Sequence, residues 1–147
     1  TYFKEIIYCI QNKYNKIDFA DGLVLADFIS IHIPLDKETK NLIAKEELKQ
    51  MKENCILVNT ARGGIINEKD LIWALQNKKI YGAGLDVFET EPPLKDNPLF
   101  QLDNVLLTPH NAALTLECRK RMAVETCENI AYYLTNSDRL NKNNIII

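Results

Sequence analysis

The sequence lacks a long apolar stretch and a block of charge of one sign. Without about 20 consecutive apolar residues, or a basic segment leading into a hydrophobic one, we expect neither membrane anchoring nor secretion. Acidic and basic residues are interspersed and the formal net charge is only −2. The sequence therefore shows no run of basic residues that would bind nucleic acid. We therefore expect a small-molecule partner, with no nucleic acid and no membrane.

Paired cysteines are absent as well. Cys9, Cys55, Cys118 and Cys127 are well separated, and no two of them form a C-x-x-C motif. Cys55 lies in an apolar run, where a buried thiol is ordinary. We expect reduced thiols, a cytoplasmic location and no bound metal.

The length of the chain limits the number of domains. With 147 residues, of which 46% are hydrophobic, it can bury one core but hardly two, because domains typically contain about 100–200 residues. The first residue is Thr rather than Met, which suggests either missing upstream sequence or processing. We therefore expect one domain that is truncated at its N-terminus.

From Asp27 onward, short apolar runs rich in β-branched residues alternate with amphipathic segments. The apolar runs predict four strands, at 28–33, 55–58, 81–87 and 105–108. The amphipathic segments predict three helices, at 45–52, 67–79 and 115–134, with Asn67 and Thr115 as N-caps. The connection between the last two strands has no helical period. This alternation is typical of βαβ units around a parallel sheet.

Four polar residues follow the predicted strands. Arg62 comes after the second strand, Asp86 and Glu91 after the third, and His110 after the fourth. In an open parallel sheet, ligands bind outside the carboxyl ends of the strands, so we expect these side chains to converge on one edge. Asp86 is the most ambiguous of them, because an Asp at a strand end often caps a turn.

Arg, Glu and His together suit the reduction of a ketone. The planar guanidinium of Arg62 can grip a carboxylate with two hydrogen bonds and polarise the neighbouring carbonyl. His110 can supply the proton that the resulting alkoxide must take, and Glu91 can hold the imidazole in the required tautomer. Taken alone, an Arg beside Gly-Gly is more often a solvated loop residue, and Thr-Pro-His is usually a turn.

Four motifs occur together and in a characteristic order: DFISIHIPL at 27–35, NTARGG at 59–64, GAGLDVFETEP at 82–92 and NVLLTPH at 104–110. From Asp27 to about Leu134 the sequence resembles the D-isomer-specific 2-hydroxyacid dehydrogenases, the family of phosphoglycerate, D-lactate and glycerate dehydrogenases. The resemblance implies a Rossmann-like, doubly wound α/β fold and an NAD-dependent oxidoreductase that interconverts a 2-keto acid and a D-2-hydroxy acid. It also implies that Arg62, Glu91 and His110 are catalytic.

The resemblance further places the contacts to NAD. In chain order they are Ile33, Pro34, Thr60, Ala61, Arg62, Asp86, His110, Ala112 and Ala113. Ile33 and Pro34 would lie near the adenosine, and Asp86 would face the nicotinamide carboxamide. Thr60 and Ala61 would lie beside the nicotinamide ribose. His32, within the first motif, is expected to be structural.

Three parts of the family pattern are missing: the G-x-G-x-x-G turn that cradles the pyrophosphate, the acidic residue that usually selects NAD through its ribose hydroxyls, and the N-terminal part of the substrate domain. We divide the chain into a poorly matched remnant of the nucleotide-binding domain at 1–26, the NAD-binding domain at 27–115, and a C-terminal helix and tail at 116–147. Within the remnant, residues 3–10 could form a strand and residues 22–26 a short helix, and no clean period decides.

Two alternatives to an enzyme fragment stay open. One is a catalytically inactive NAD-binding or corepressor-like module. The other is a truncated remnant that does not fold stably, because loss of the first βαβ unit would expose one flank of the central strands. For the enzyme, we expect a homodimer when full length and an isolated fragment that is inactive.

Overall fold

The structure is a computed structural model that describes residues 16–135 and the backbone of Glu5–Ile6. The chain divides into two compact units, Thr1–His110 and Asn111–Ile147. The parallel sheet lies in the first unit. The described part of the second unit is a turn followed by one helix, α4 (Leu116–Leu134).

The first unit is built from six strands and three α-helices over its described residues. A two-stranded antiparallel ribbon, β1 (Glu5–Ile6) and β2 (Ile17–Asp18), precedes α1 (Phe19–Leu25). The remaining strands are β3 (Phe28–Ile31), β4 (Ile56–Asn59), β5 (Gly82–Leu85) and β6 (Val105–Leu107). Between them lie α2 (Lys45–Gln50), α3 (Glu68–Gln76) and a 3₁₀ helix, η1 (Pro98–Gln101).

The four strands β3 to β6 form one parallel sheet in the order of the chain. Ile29, Leu57, Ala83 and Val105 share one row of its register. Connections that return each strand to the same direction are what βαβ units produce. The predicted α/β fold with a parallel sheet is confirmed, and the carboxyl ends of all four strands meet at one edge.

The two faces of the sheet differ in burial. Side chains alternate between the faces along each strand, and those of one face belong to the hydrophobic core: Ile31, Leu57, Ala83 and Leu85, packed with Leu23 of α1, Leu48 of α2, and Leu71 and Leu75 of α3. On the other face, Phe28 and Leu106 are each 71% exposed. The helices α1 to α3 therefore contribute their apolar sides to one face.

The predicted strands and helices are all present, with ends that differ by up to three residues. The connection between β5 and β6, predicted to be non-helical, contains η1, which corrects the prediction. Asn97 accepts a hydrogen bond from the Leu99 N–H at 2.9 Å and Pro98 begins the turn. Four residues are too few to show a helical period, so the pattern could not indicate this turn.

The upstream segment contains the short helix that was one of its two predicted elements. α1 begins at Phe19, three residues before the predicted start at Gly22. Within the strand predicted at 3–10, Glu5–Ile6 is a strand, and the other residues of that prediction lie outside the described residues, as does the tail after Asn136.

The predicted N-caps are confirmed in both units. The Asn67 side chain accepts a hydrogen bond from the Asp70 N–H at 3.0 Å, and Thr115 accepts one from the Cys118 N–H at 3.2 Å. α4 buries none of its residues, and the apolar residues of this amphipathic segment include Ile130 and Leu134, which are 55% and 73% exposed. Among residues 16–135, no helix combines the length and apolar character needed to cross a membrane.

Candidate active site

The three predicted catalytic residues lie in three of the four loops that leave the carboxyl edge of the sheet. Arg62 follows the end of β4, Glu91 lies in the connection after β5, and His110 follows β6. All three belong to the first compact unit. The parallel register therefore brings these loops to the same edge, as the order of the strands predicts.

Glu91 and His110 form a close pair. The distance between Glu91 Oε2 and His110 Nδ1 is 2.7 Å, and the other carboxylate oxygen accepts the Phe88 N–H at 3.1 Å. Both side chains are partly exposed, 37% for Glu91 and 48% for His110. The backbone of His110 is in the left-handed region, with φ 52, a conformation that is uncommon for residues other than Gly and often marks functional sites.

The surroundings of Glu91 keep it ionised. The hydrogen bond with His110 lowers the pKa of the Glu91 carboxyl most, and the bond from the Phe88 N–H lowers it further. Burial opposes this effect, while the charges of His110 and Arg62 add to it. Arg62 is thus near enough for its charge to act on Glu91. The three groups form one electrostatic cluster at the carboxyl edge.

The loop that carries Arg62 is fixed by Asn59, the last residue of β4. Asn59 is 2% exposed; its Nδ2 donates to the Arg62 carbonyl at 2.8 Å and its Oδ1 accepts the Ala61 N–H at 3.0 Å. The guanidinium donates to the Ala61 carbonyl at 2.7 Å. Since a guanidinium has five N–H donors in a planar fork, this leaves Arg62 able to bind a carboxylate.

Gly63 allows the Arg62 loop to pack against the Glu91 connection. A Cβ at Gly63 would lie 1.7 Å from the Phe88 carbonyl oxygen, so no other residue fits there without a shift of the backbone. The same Phe88 residue donates its N–H to Glu91. Phe88 therefore links the two loops, because its carbonyl oxygen packs against Gly63 and its own N–H binds the Glu91 carboxylate.

Asp86 lies at the same edge and is 2% exposed. Its carboxylate accepts a hydrogen bond from the Thr108 hydroxyl, and its N–H donates to the Asn59 carbonyl at 3.0 Å. These contacts join the ends of β4, β5 and β6. A buried carboxylate held by a side chain of the next strand is a candidate ligand-binding group rather than a solvated turn residue.

A cavity of about 540 Å³ opens beside Arg62. It is lined by Ile33, Pro34, Leu35, Ala61, Arg62 and His32. A larger cavity of about 1080 Å³ lies at the amino ends of the strands, where Tyr81, Gly82 and Asn104 are among its lining residues. The larger cavity contains none of the predicted site residues, so we assign the site to the smaller one, because it holds the guanidinium.

Comparison with known proteins decides the family. The family model described as "D-isomer specific 2-hydroxyacid dehydrogenase, NAD binding domain" matches residues 4–112. The chain belongs to this family. The match begins at residue 4, inside the segment 1–26 that is predicted to be a poorly matched remnant. The Rossmann-like fold predicted from the motifs is confirmed as that of this NAD binding domain.

Individual relatives cover the same part of the chain. Glyoxylate reductase of Korarchaeum cryptofilum is 50% identical over 105 residues, which are 71% of this chain and 32% of that protein. D-3-phosphoglycerate dehydrogenase of Methanocaldococcus jannaschii is 52% identical over 105 residues, 71% of this chain and 20% of that protein. The chain therefore spans about a third or less of the length of these relatives.

A solved structure agrees with the sequence relatives. D-lactate dehydrogenase with NAD⁺ from Lactobacillus jensenii superposes with a TM-score of 0.79 at 32% sequence identity. The superposition covers 85% of this chain and 41% of that one. The likeness thus extends over most of this dehydrogenase-family chain and less than half of the complete relative.

The predicted cofactor contacts are distributed over several positions. Ile33, Pro34, Ala61 and Arg62 line the same cavity, and Thr60 is half-buried next to Ala61. Asp86 and His110 lie at the ends of β5 and β6. In the second unit, Ala112 and Ala113 lie in the turn in which the Leu114 N–H donates to the Asn111 carbonyl at 2.9 Å. His32, predicted to be structural, contacts Ser30 through Nε2 at 2.7 Å and also lines the cavity.

Three residues that organise the site were not among the predicted contacts. Asn59 holds the Arg62 loop, Gly63 permits its close packing, and Thr108 bonds Asp86. A buried Asn at a strand end and a Gly directly after a functional Arg are detectable signals, because both residue types are unusual in a buried loop without a structural reason. The bond of Thr108 depends on sheet order and has no local signal.

Proposed function

We propose that this chain supplies the reacting side chains and part of the cofactor site of an NAD-dependent dehydrogenase that interconverts a 2-keto acid and a D-2-hydroxy acid. The observation that carries the proposal is the 2.7 Å contact between Glu91 Oε2 and His110 Nδ1, with Arg62 in the loop that leaves β4 at the same edge of the sheet. Reduction of a keto acid requires a group that binds the substrate carboxylate and an acid that protonates the carbonyl oxygen. Arg62 and the His110–Glu91 pair can fill these two roles.

The cavity beside Arg62 supports binding of NAD. Ile33, Pro34 and Leu35 give it an apolar wall, and Ala61 presents a small side chain beside the guanidinium, a combination suited to a flat, partly apolar ligand. When bound, the reduced nicotinamide supplies the hydride. We assign Ile33 and Pro34 to the adenosine side, Thr60 and Ala61 to the nicotinamide ribose, and Asp86 to the carboxamide. The family resemblance alone assigns further contacts to Arg62, His110, Ala112 and Ala113.

Arg62 binds the carboxylate of the keto acid in this proposal. Its planar fork can make two parallel hydrogen bonds to the carboxylate oxygens, which orients the adjacent ketone in one way. The positive charge also polarises the ketone, so negative charge that develops on the oxygen is stabilised. The bond from Asn59 to the Arg62 carbonyl at 2.8 Å holds the loop for this task.

His110 moves the proton. Because Nδ1 faces the Glu91 carboxylate, Nδ1 carries a hydrogen and Nε2 is the nitrogen that remains for the substrate. As hydride reaches the carbonyl carbon, protonated Nε2 donates its proton to the carbonyl oxygen, which becomes the hydroxyl of the product. In the oxidation direction, neutral Nε2 takes the hydroxyl proton. Glu91 fixes the orientation of the ring and the tautomer that carries a hydrogen on Nδ1.

We also propose that the whole protein acts as a homodimer in the cytoplasm. The dimer follows from the family resemblance. The cytoplasmic location is supported by Cys55, Cys118 and Cys127, which are free thiols, since such cysteines are typical of a reducing compartment. Sedimentation of the full-length protein tests the dimer directly.

The test of the proposed reaction is an assay of the full-length protein. Glyoxylate and hydroxypyruvate are the first substrates to try, because two relatives are a glyoxylate reductase and a hydroxypyruvate reductase. We expect loss of NADH absorbance with at least one 2-keto acid, and at least about a 100-fold reduction in kcat for His110→Asn, since general acid catalysis contributes about 10²–10⁴-fold. A protein that binds NADH but reduces no 2-keto acid contradicts the proposal.

A further inference from the structure

Glu91 lies in a segment without regular secondary structure. Between the end of β5 at Leu85 and the start of η1 at Pro98, the chain contains only turns and bends. A short hydrogen bond such as that between Glu91 and His110 requires a well-fixed backbone, because small displacements weaken it steeply. Other elements must therefore hold this segment in place.

Glu68, the first residue of α3, is bonded to the beginning of the segment. The Glu89 N–H donates to Glu68 Oε2 at 3.1 Å, and the Glu68 N–H donates to Glu89 Oε1 at 3.0 Å. An N–H in the first turn of a helix has no partner within the helix, and the helix N-terminus favours nearby carboxylates. The reciprocal bonds satisfy a helix amide and fix the backbone two residues before Glu91.

The Glu68 carboxylate also reaches the other end of the segment. Asn97 Nδ2 donates to Glu68 Oε1 at 2.8 Å. Asn97 is 9% exposed and its Oδ1 accepts the Leu99 N–H at 2.9 Å, so it is itself anchored to η1. One side chain thus holds residues 89 and 97, and Glu91 lies between them.

We propose that Glu68 is a positioning residue that keeps Glu91 in contact with His110 by fixing both ends of the segment 89–97. The proposal rests on the proposed function, because Glu68 acts on the reaction only through Glu91. Its two carboxylate oxygens have separate partners, one at each end. Loss of the carboxylate releases both ends together, whereas loss of a single partner releases one.

Hydrogen exchange of the full-length protein with bound NADH tests whether Glu68 holds the segment. We expect amides of 88–97 to exchange about 10-fold faster in Glu68→Ala, since local opening sets their protection. Asn97→Asp should accelerate exchange as well, because it removes the Nδ2 donor but retains the acceptor that caps η1. Glu46→Ala is the matched control: Glu46 is an exposed glutamate in the first turn of α2, where it bonds Lys49 at 2.7 Å.

Steady-state kinetics test whether fixing the segment 89–97 positions Glu91 for the reaction. In Glu68→Ala we expect kcat for keto acid reduction to fall about 10-fold while the KM for NADH changes less than about 2-fold, because the cofactor cavity is untouched. Unchanged exchange at 88–97 in both variants would overturn the proposal, and so would faster exchange with an unchanged kcat. An inactive parent protein would instead overturn the proposed function, while the exchange data would still show whether Glu68 holds the segment.

Discussion

The two ends of the same four strands use polar side chains in different ways. At the carboxyl ends, Arg62 and His110 are exposed and carry N–H donors that a ligand can reach. Buried Asn59 donates to the Arg62 carbonyl and holds the Arg62 loop in place. At the amino ends, polar side chains connect one part of the chain to another. Asp27 accepts hydrogen bonds from Lys52 at 3.0 Å and from Asn54 at 3.4 Å.

The amino-end contacts continue across the sheet. Asn104 Nδ2 donates to the carbonyl of Leu75 at 3.2 Å and to that of Tyr81 at 3.4 Å. The larger cavity lies at this end and includes Glu53, Lys78 and Asp103 in its lining, but neither an Arg nor a His is among its described lining residues. The difference shows that the volume of a cavity is a poorer guide to a site than the groups that line it.

Replacing the guanidinium gives the sharpest contrast between the ends. In the full-length protein, we expect Arg62→Lys to reduce kcat/KM for the keto acid about 100-fold, because an ammonium cannot make the two parallel bonds that orient the ketone. NADH affinity should change little. Tyr81→Phe at the amino end serves as the control, with parental kinetics expected. Equal losses of turnover and NADH binding in Arg62→Lys would refute the proposal that Arg62 binds the substrate carboxylate.

Two glycines, one at each end, provide a matched pair. A Cβ at Gly63 would lie 1.7 Å from the Phe88 carbonyl oxygen, and one at Gly82 would lie 2.8 Å from the Asn104 carbonyl oxygen. We expect Gly63→Ala and Gly82→Ala each to lower the free energy of unfolding by about 1–3 kcal/mol, Gly63→Ala more, because overpacking shifts the backbone. Urea denaturation measures this loss.

The same glycine pair separates stability from activity. Gly63→Ala should also lower kcat, because displacing the Phe88 carbonyl shifts the residue whose own N–H, in the preceding peptide unit, binds Glu91. Gly82→Ala should retain the parental kcat under conditions where the protein is folded. If both variants kept full turnover, the close packing of the two loops at the carboxyl end would have no part in the reaction.

The functional residues at the carboxyl ends of the strands are easier to predict from the sequence than the residues that hold them in place. The four apolar runs predict the strands, and ligands bind at the carboxyl ends of parallel strands. Together these two facts predict that Arg62, Glu91 and His110 lie close to one another. The support given by Glu68 could not be predicted, because its partners Glu89 and Asn97 lie 21 and 29 residues away. Such bonds depend on the path of irregular connections, for which residue patterns carry little information.

Acid should weaken the carboxyl end through Glu91. Its pKa is lowered chiefly by the hydrogen bond with His110, so its stabilising contribution is present above the ordinary glutamate pKa of about 4.3 and is lost as the pH falls through the lowered value. We expect the stability of the parent and Glu91→Gln to differ at mildly acidic pH and to converge below that range. A difference that stays constant into strong acid would contradict this linkage.

The smallest effect should come from the exposed ion pair at the amino end. The Lys52 and Asp27 side chains are 37% and 56% exposed, and the hydrogen bond from Lys52 is the main cause of the lowered pKa of Asp27. Because solvent and salt screen exposed pairs, we expect the melting temperature of Asp27→Asn to lie within about 2 °C of the parent, and the difference to shrink in high salt. Asp27→Asn keeps a side-chain oxygen that can accept from Asn54, so the variant removes only the charge. A larger, salt-independent loss would therefore mean that the contact with Lys52 stabilises the start of β3 by more than a screened ion pair can.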